Sequence, residues 1–280
     1  MKILVAVDSS DASAIAAREA AARLWPAGTT VRVISVVEPL YGWSAPELEM
    51  ALQQSGEQTV RCAAEHFVQA GLKTTTAVLT GDPKTVVVDE AAEGHADFVV
   101  IGSHNASGVV QFLLGSVARA VARLATCSVE IVRTSPGPTP LRILLATDGS
   151  ECSKAAARSV AQRPWPAGTT FRILSVIEPS APVLPMSYFS AEMMEELRGK
   201  DMQRAESILL GAGIEASSTV AVPAASAKEL ILSEAAEWNA GLIVVGSHGR
   251  RGLKRVALGS VSEAVALHGN CSVEIIRGPS

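Results

Sequence analysis

Gly246, Gly249 and Gly259 stand at intervals that let a bare backbone wrap an anion. The run Val244-Val245-Gly246-Ser247-His248-Gly249 is followed by nine residues, Arg250 to Leu258, and then by Gly259-Ser260-Val261 at the head of an apolar helical run. Glycine turns sharply and brings N–H groups close to phosphate oxygens, while a helix N-terminus offers free amides and the positive end of its dipole. Arg250, Arg251, Lys254 and Arg255 add positive charge nearby, and Ser260 adds a hydroxyl donor. The combination suits a di- or triphosphate.

Such a loop needs a strand end and a helix start held side by side, and the chain supplies that arrangement twice. Trp25-Pro26-Ala27-Gly28-Thr29-Thr30 returns letter for letter as Trp165-Pro166-Ala167-Gly168-Thr169-Thr170. Around it, Val5-Ala6-Val7-Asp8 answers to Leu145-Ala146-Thr147-Asp148, Ser35-Val36-Val37-Glu38-Pro39 to Ser175-Val176-Ile177-Glu178-Pro179, and Gly102-Ser103-His104 to Gly246-Ser247-His248. Cys127-Ser128-Val129-Glu130 likewise answers to Cys271-Ser272-Val273-Glu274, in the same order. Between the halves, the prolines and glycine of Thr134 to Pro140 forbid a helix or a central strand. The expected organisation is a domain over 1–135, a linker over 136–140 and a second domain over 141–280.

Each half alternates short β-branched apolar runs with longer amphipathic ones, the pattern of a βαβ series. Strands are expected near 2–7, 31–37, 74–79, 97–101 and 128–133, and again near 142–147, 171–177, 215–221, 242–245 and 272–277. One helix runs from a cap at Ser10 or Asp11 to about Leu24, and Leu48, Leu52, Ala63, Phe67 and Ala70 keep helical spacing through a second. Two more fill about 84–93 and 116–125. The fold class is α/β: two tandem, five-stranded, mostly parallel open-sheet domains with helices on both faces, of Rossmann-like type. Right-handed crossovers force one reversal of strand addition, which opens a crevice at the carboxyl ends of the strands. Asp8 and Asp148, Val36 and Val176, and Gly102 and Gly246 all fall at such ends.

Composition narrows the function classes. A formal charge of -4 excludes a globally basic nucleic-acid binder, and with aromatics at 4% the core must be built from Ala, Val, Leu and Ile. The apolar run at Met1 to Asp8 is too short for a signal sequence, and no stretch approaches a membrane span, so a cytoplasmic location without membrane partners is expected. Cys62, Cys127, Cys152 and Cys271 form no CxxC pair and no zinc-like pattern with histidine, so neither a disulfide framework nor a metal site is indicated.

Gly246, Gly249 and Gly259-Ser260 match in order and spacing the glycine motif of ATP-binding universal stress proteins. The chain therefore resembles a tandem member of that family, of the HUP or adenine nucleotide alpha hydrolase-like type, over nearly its whole length. The resemblance implies an adenine nucleotide, ATP or ADP or AMP, with Mg²⁺ as a possible companion. Adenine would lie by the backbone of Val176, with Asp148 by the ribose and Ala146 also in the nucleotide-binding set, and phosphates on Gly246, His248, Gly249, Gly259, Ser260 and Val261. In the first half the matching residues are Ala6, Asp8, Val36, Gly102, His104, Asn105, Gly115, Ser116 and Val117. Asn105 replaces the second glycine, and Ala106 to Leu114 contains no Lys or Arg, so a weaker or empty first site is expected. Family members dimerise through the last strand, which implies an internal pseudo-dimer of the halves and a possible homodimer.

Blander readings compete at several positions. Asp8 and Asp148 suit helix caps or turns, Arg250 to Arg255 suits a solvated helix face, and His104 and His248 lack a nucleophile or carboxylate partner for catalysis. Cys127 and Cys271 read as small packing residues, and Trp25 and Trp165 as helix-end packing residues. Along the last strands Ser128, Glu130 and Arg133, and Ser272, Glu274 and Arg277, alternate outward as on a sheet edge. Two rival functions stand beside a nucleotide-binding signalling module: an interaction scaffold without nucleotide, and a slow ATPase. No adenylation loop follows the first strand and no G-x-G-x-x-G occurs, which speaks against adenylation and against NAD or FAD.

Overall fold

The computed structural model describes residues 1–40, 46–103, 114–133, 140–176, 191–221, 226–249 and 258–278. The chain forms two compact units, Met1–Ser135 and Pro136–Ser280. The segment 134–139, which holds most of the expected linker, lies outside the described residues.

Unit 1 runs β1 (Lys2–Ala6), α1 (Asp11–Ala22), β2 (Thr30–Val37), α2 (Pro46–Gln69), β3 (Lys73–Thr80), α3 (Pro83–Glu93), β4 (Phe98–Gly102), α4 (Ser116–Leu124) and β5 (Ser128–Val132). Its strands lie in the order β3-β2-β1-β4-β5, and every recorded pairing is parallel. The chain adds strands in one direction to β3, then crosses to the other side of β1. Right-handed connections therefore place α1 and α2 together on one face and α3 and α4 together on the other. Covered on both faces, β1 and β4 carry unbroken apolar runs, with Val5, Val99 and Val100 fully buried.

Unit 2 repeats the plan as β6 (Arg142–Thr147), α5 (Glu151–Ala161), β7 (Thr170–Val176), α6 (Ala191–Gly211), β8 (Ala216–Ala221), α7 (Ala227–Glu237), β9 (Leu242–Gly246), α8 (Ser260–His268) and β10 (Ser272–Ile276). Its parallel order is β10-β9-β6-β7-β8, with the reversal between β6 and β9. Among the described residues no helix is long and apolar enough to cross a membrane.

Local chemistry explains the element ends. Of the two residues expected to cap α1, Ser10 does so: its hydroxyl accepts from the Ser13 amide at 3.2 Å, and Ser150 accepts from Ser153 at the same distance at the head of α5. The two repeated tryptophans close the far ends of these helices. Trp25 Nε1 donates to the Ala20 carbonyl and its ring meets Phe98 edge-on, while Trp165 Nε1 donates to Val160 and meets Phe171. The second helix is buried along Gly56, Val60, Ala63, Ala64 and Phe67, whereas Leu48 is exposed and Ala70 lies past the helix end.

One expectation is overturned. Glu130 and Glu274 do not face outward: both are 0% exposed, and Arg133 is buried as well. Arg23, just after α1, donates to Glu130 Oε2 and forms an ion pair with Oε1. Arg163, just after α5, grips Glu274 through two bonds of 2.8 and 2.5 Å and lies 4.7 Å over the Trp165 ring. Alternation separates the two faces of a strand but does not say which is wet, and a charge enters the interior when a bidentate partner meets it there.

With Arg163 and Glu274 both nearly inaccessible, removing one partner strands the other charge. Glu274→Ala should lower stability by about 3–5 kcal/mol, while the double replacement Arg163→Met/Glu274→Leu should recover most of the loss. Equilibrium urea unfolding of the full chain checks both; equal losses in the single and double variants would show that packing, not the stranded charge, sets the cost.

Candidate functional site

The reversal of strand order in unit 1 frames a cavity of about 530 Å³. Its wall contains Ala6 and Asp8 at the end of β1, Val36 near the end of β2, Gly102 at the end of β4, and Gly115, Ser116 and Val117 at the start of α4. These are all the described members of the first-half set read from sequence; His104 and Asn105 lie outside the described residues. Two further wall segments were not anticipated. Leu52, Ser55, Gly56 and Thr59 come from α2, and Asp82, Pro83 and Lys84 from the start of α3. A glycine inside a helix was the available signal for the first: a Cβ on Gly56 would sit 2.9 Å from Val78.

Asp8 is held in a tight polar turn. Its Oδ1 accepts from the Ser10 amide at 3.0 Å, the Ser10 hydroxyl at 2.5 Å and the Ser13 hydroxyl at 2.6 Å, and its own amide donates to Ser13 Oγ at 3.1 Å. The turn-forming duty of this acid therefore engages one oxygen; among the described residues no donor reaches Oδ2. A carboxylate fixed through one oxygen can offer the other to a hydroxyl.

In unit 2 the same residue types connect differently. Asp148 Oδ1 again accepts from the Ser150 amide at 3.0 Å, but the Ser150 hydroxyl donates at 3.1 Å to the carbonyl of His248 and the Ser153 hydroxyl to the Ser150 carbonyl. The serine that braces the acid in unit 1 thus ties the first-strand turn to the glycine loop in unit 2. Gly249 lies directly against the acid, since a Cβ there would fall 2.7 Å from Asp148 Oδ2. The Ser247 hydroxyl is 3.0 Å from His248 Nδ1, and His248 Nε2 is buried with no partner among the described residues.

The helix starts are pinned to the strand ends by one bond each. Gly115 N donates to Ser103 O at 2.7 Å, and Gly259 N donates to Ser247 O at 2.8 Å. Both glycines occupy the N-cap position without a side-chain cap, so the first-turn amides of α4 and α8 face no capping side chain, the arrangement that favours an anion. Ser116 and Ser260 open these helices, with Val117 and Val261 next. Ala146 is buried in β6 and Val176 ends β7; Arg250, Arg251, Lys254 and Arg255 lie outside the described residues.

Gly102 and Gly246 have a duty that a phosphate cradle does not require. A Cβ on Gly246 would stand 2.6 Å from the Cys152 carbonyl carbon and 2.7 Å from Ser153 N; one on Gly102 would stand 2.9 Å from the Ala12 carbonyl. Each glycine lets the first turn of α1 or α5 close onto the neighbouring strand. Two acids on the first turns of unit 2 helices titrate low. A hydrogen bond and the charge of Lys154 hold Glu151 below the usual carboxylate range, and the amide of Ser226, donating at 3.0 Å, does the same for Glu229. No group of three or more metal-ligating side chains is assembled among the described residues.

The family model for the universal stress protein family matches residues 1–133 and 141–277, so the chain belongs to that family, as a tandem of two such domains. The Bacillus subtilis universal stress protein YxiE is 30% identical over 145 residues, spanning 47% of this chain and 98% of its own. A Mycolicibacterium smegmatis universal stress protein is 27% identical over 98% of this chain and 96% of its own. The crystal structure of a universal stress protein from Archaeoglobus fulgidus shares the fold, with a TM-score of 0.72 at 21% identity over 99% of this chain and 98% of that one.

Because the atoms met by a Gly246 Cβ are mostly backbone, they cannot swing aside. Gly246→Ala should cost about 1–3 kcal/mol in urea unfolding, and Gly211→Ala, whose Cβ meets nothing, should stay within about 0.5 kcal/mol of the parent. A neutral Gly246→Ala would remove the packing constraint.

Proposed function

We propose that the chain is a cytoplasmic stress-response or signalling protein that binds an adenine nucleotide in the crevice and acts by ligand-biased conformation rather than dedicated catalysis. The observation that carries this reading is the unit 1 cavity: three strand ends and one helix start, distant in sequence, bring Ala6, Asp8, Val36, Gly102 and Gly115 to Val117 onto one wall. Its volume falls within the range of small-ligand sites. Adenine would stack near the β2 or β7 end, and the unbound carboxylate oxygen of Asp8 would meet a ribose hydroxyl. Phosphates would sit at the uncapped starts of α4 and α8.

ATP is the proposed occupant of unit 2, where Arg250, Arg251, Lys254 and Arg255 follow the glycine loop. Any Mg²⁺ would arrive on the phosphates, whose oxygens together with water commonly fill much of its coordination shell. The non-catalytic part of the reading is supported by Ser247: it touches His248 but is only 1% exposed, so its hydroxyl is placed for loop structure and not for attack on a ligand.

Calorimetric titration of ATP and Mg²⁺ into nucleotide-stripped protein should show binding near one equivalent. A valine at 249 would drive its Cβ into Asp148 Oδ2, so Gly249→Val should weaken ATP binding at least about tenfold, whereas Asn105→Val should change it little. Absence of binding by every adenine nucleotide would overturn the reading, and equal losses in both variants would overturn the assignment of ATP to unit 2.

A further inference from the structure

We infer that the two units divide adenine ligands by charge: the unit 1 cavity takes the nucleoside or its monophosphate, and the polyphosphate is left to unit 2. This rests on the adenine-nucleotide reading above and deepens it. The absence of Lys and Arg from Ala106 to Leu114 was first a reason to expect a weak or empty site. The cavity alters that conclusion, because a crevice of about 530 Å³ is present with its helix start, its strand ends and its braced acid in place. What distinguishes the site is the sign of its charge.

Among the described wall residues, Asp8, Glu38 and Asp82 stand against one cation, Lys84. Asp8 is anchored by three donors at Oδ1, so its charge cannot turn away from an incoming phosphate. Most of these charges have equivalents in the second half: Asp148 for Asp8, Glu178 for Glu38 and Lys228 for Lys84. The differences are Ser226 in place of Asp82, and four cations, Arg250, Arg251, Lys254 and Arg255, where unit 1 has none. A phosphate carries about -2 at neutral pH and each further phosphate adds more, so a triphosphate meets a growing penalty in unit 1 and a growing gain in unit 2. Part of the unit 1 wall, formed by Ile34, Val36, Leu52 and Val87, is apolar and suits the faces of a purine ring, which carry no charge in either ligand.

The test uses the full chain with unit 2 disabled by Gly249→Val, titrated in parallel with adenosine, AMP and ATP at low ionic strength. Adenosine or AMP should bind at least about tenfold tighter than ATP, and added salt should narrow the gap. Asp82→Ser, which installs the residue of the second half, should tighten ATP relative to adenosine. A second arm needs no variant: adenosine titrated into wild-type protein saturated with ATP should still bind near one equivalent. ATP binding as tightly as AMP in Gly249→Val, or no adenosine binding beside saturating ATP, would overturn the division while leaving a unit 2 nucleotide site intact. Failure of the wild-type chain to bind any of the three would instead remove the adenine-nucleotide reading itself.

Discussion

Everything at the crevice depends on how closely the first helix of each unit approaches the fourth strand. The gap between the head of α1 and the end of β4, or of α5 and β9, has no room for a single methyl group. Glycine at 102 and 246 is the sequence's answer to that geometry. Once the helix has closed down, the turn holding Asp8 or Asp148 lies beside the strand end from which the glycine loop departs. The serine that caps the helix then sits within reach of both. The loop proposed to hold phosphate is thus built on a helix-to-strand contact that involves no phosphate.

The duplication preserves that contact and changes what is wired across it. In unit 1 the hydroxyls of Ser10 and Ser13 converge on Asp8. In unit 2 Thr147 replaces Val7 and shares a hydrogen bond with Ser153, while Ser150 reaches over to the His248 carbonyl. The acid turn and the glycine loop are therefore mechanically coupled in unit 2 through Ser150. A ligand that moves the loop at His248 acts directly on the cap of α5, which gives the second unit a route from the crevice to a helix.

Much of this was legible in the letters, for identifiable reasons. Parallel strands buried on both faces announce themselves as apolar runs, and their carboxyl ends must converge wherever the strand order reverses. Hence Asp8, Val36 and Gly102 could be placed together before any coordinates. Strands β4 and β9 were expected to stop one residue early because glycine reads as a breaker, yet Gly102 and Gly246 still pair with Val132 and Ile276. The contributions of α2 and α3 to the cavity wall were not legible, since they depend on how a helix lies across the sheet and not on any local pattern. The burial of Glu130 and Glu274 was missed for a related reason: only the position of a distant arginine decides whether an alternating acid is wet or dry.

The same two ion pairs bear on how the protein is made. Arg23 and Glu130 are separated by 107 residues, and Arg163 and Glu274 by 111, so the end of the first helix in each half waits for the last strand of that half. A nascent half emerging from the ribosome carries a bare guanidinium bound for the interior until its acid partner is synthesised. Early collapse around the first strands is thereby penalised, and closing the core becomes a late, concerted event for each half.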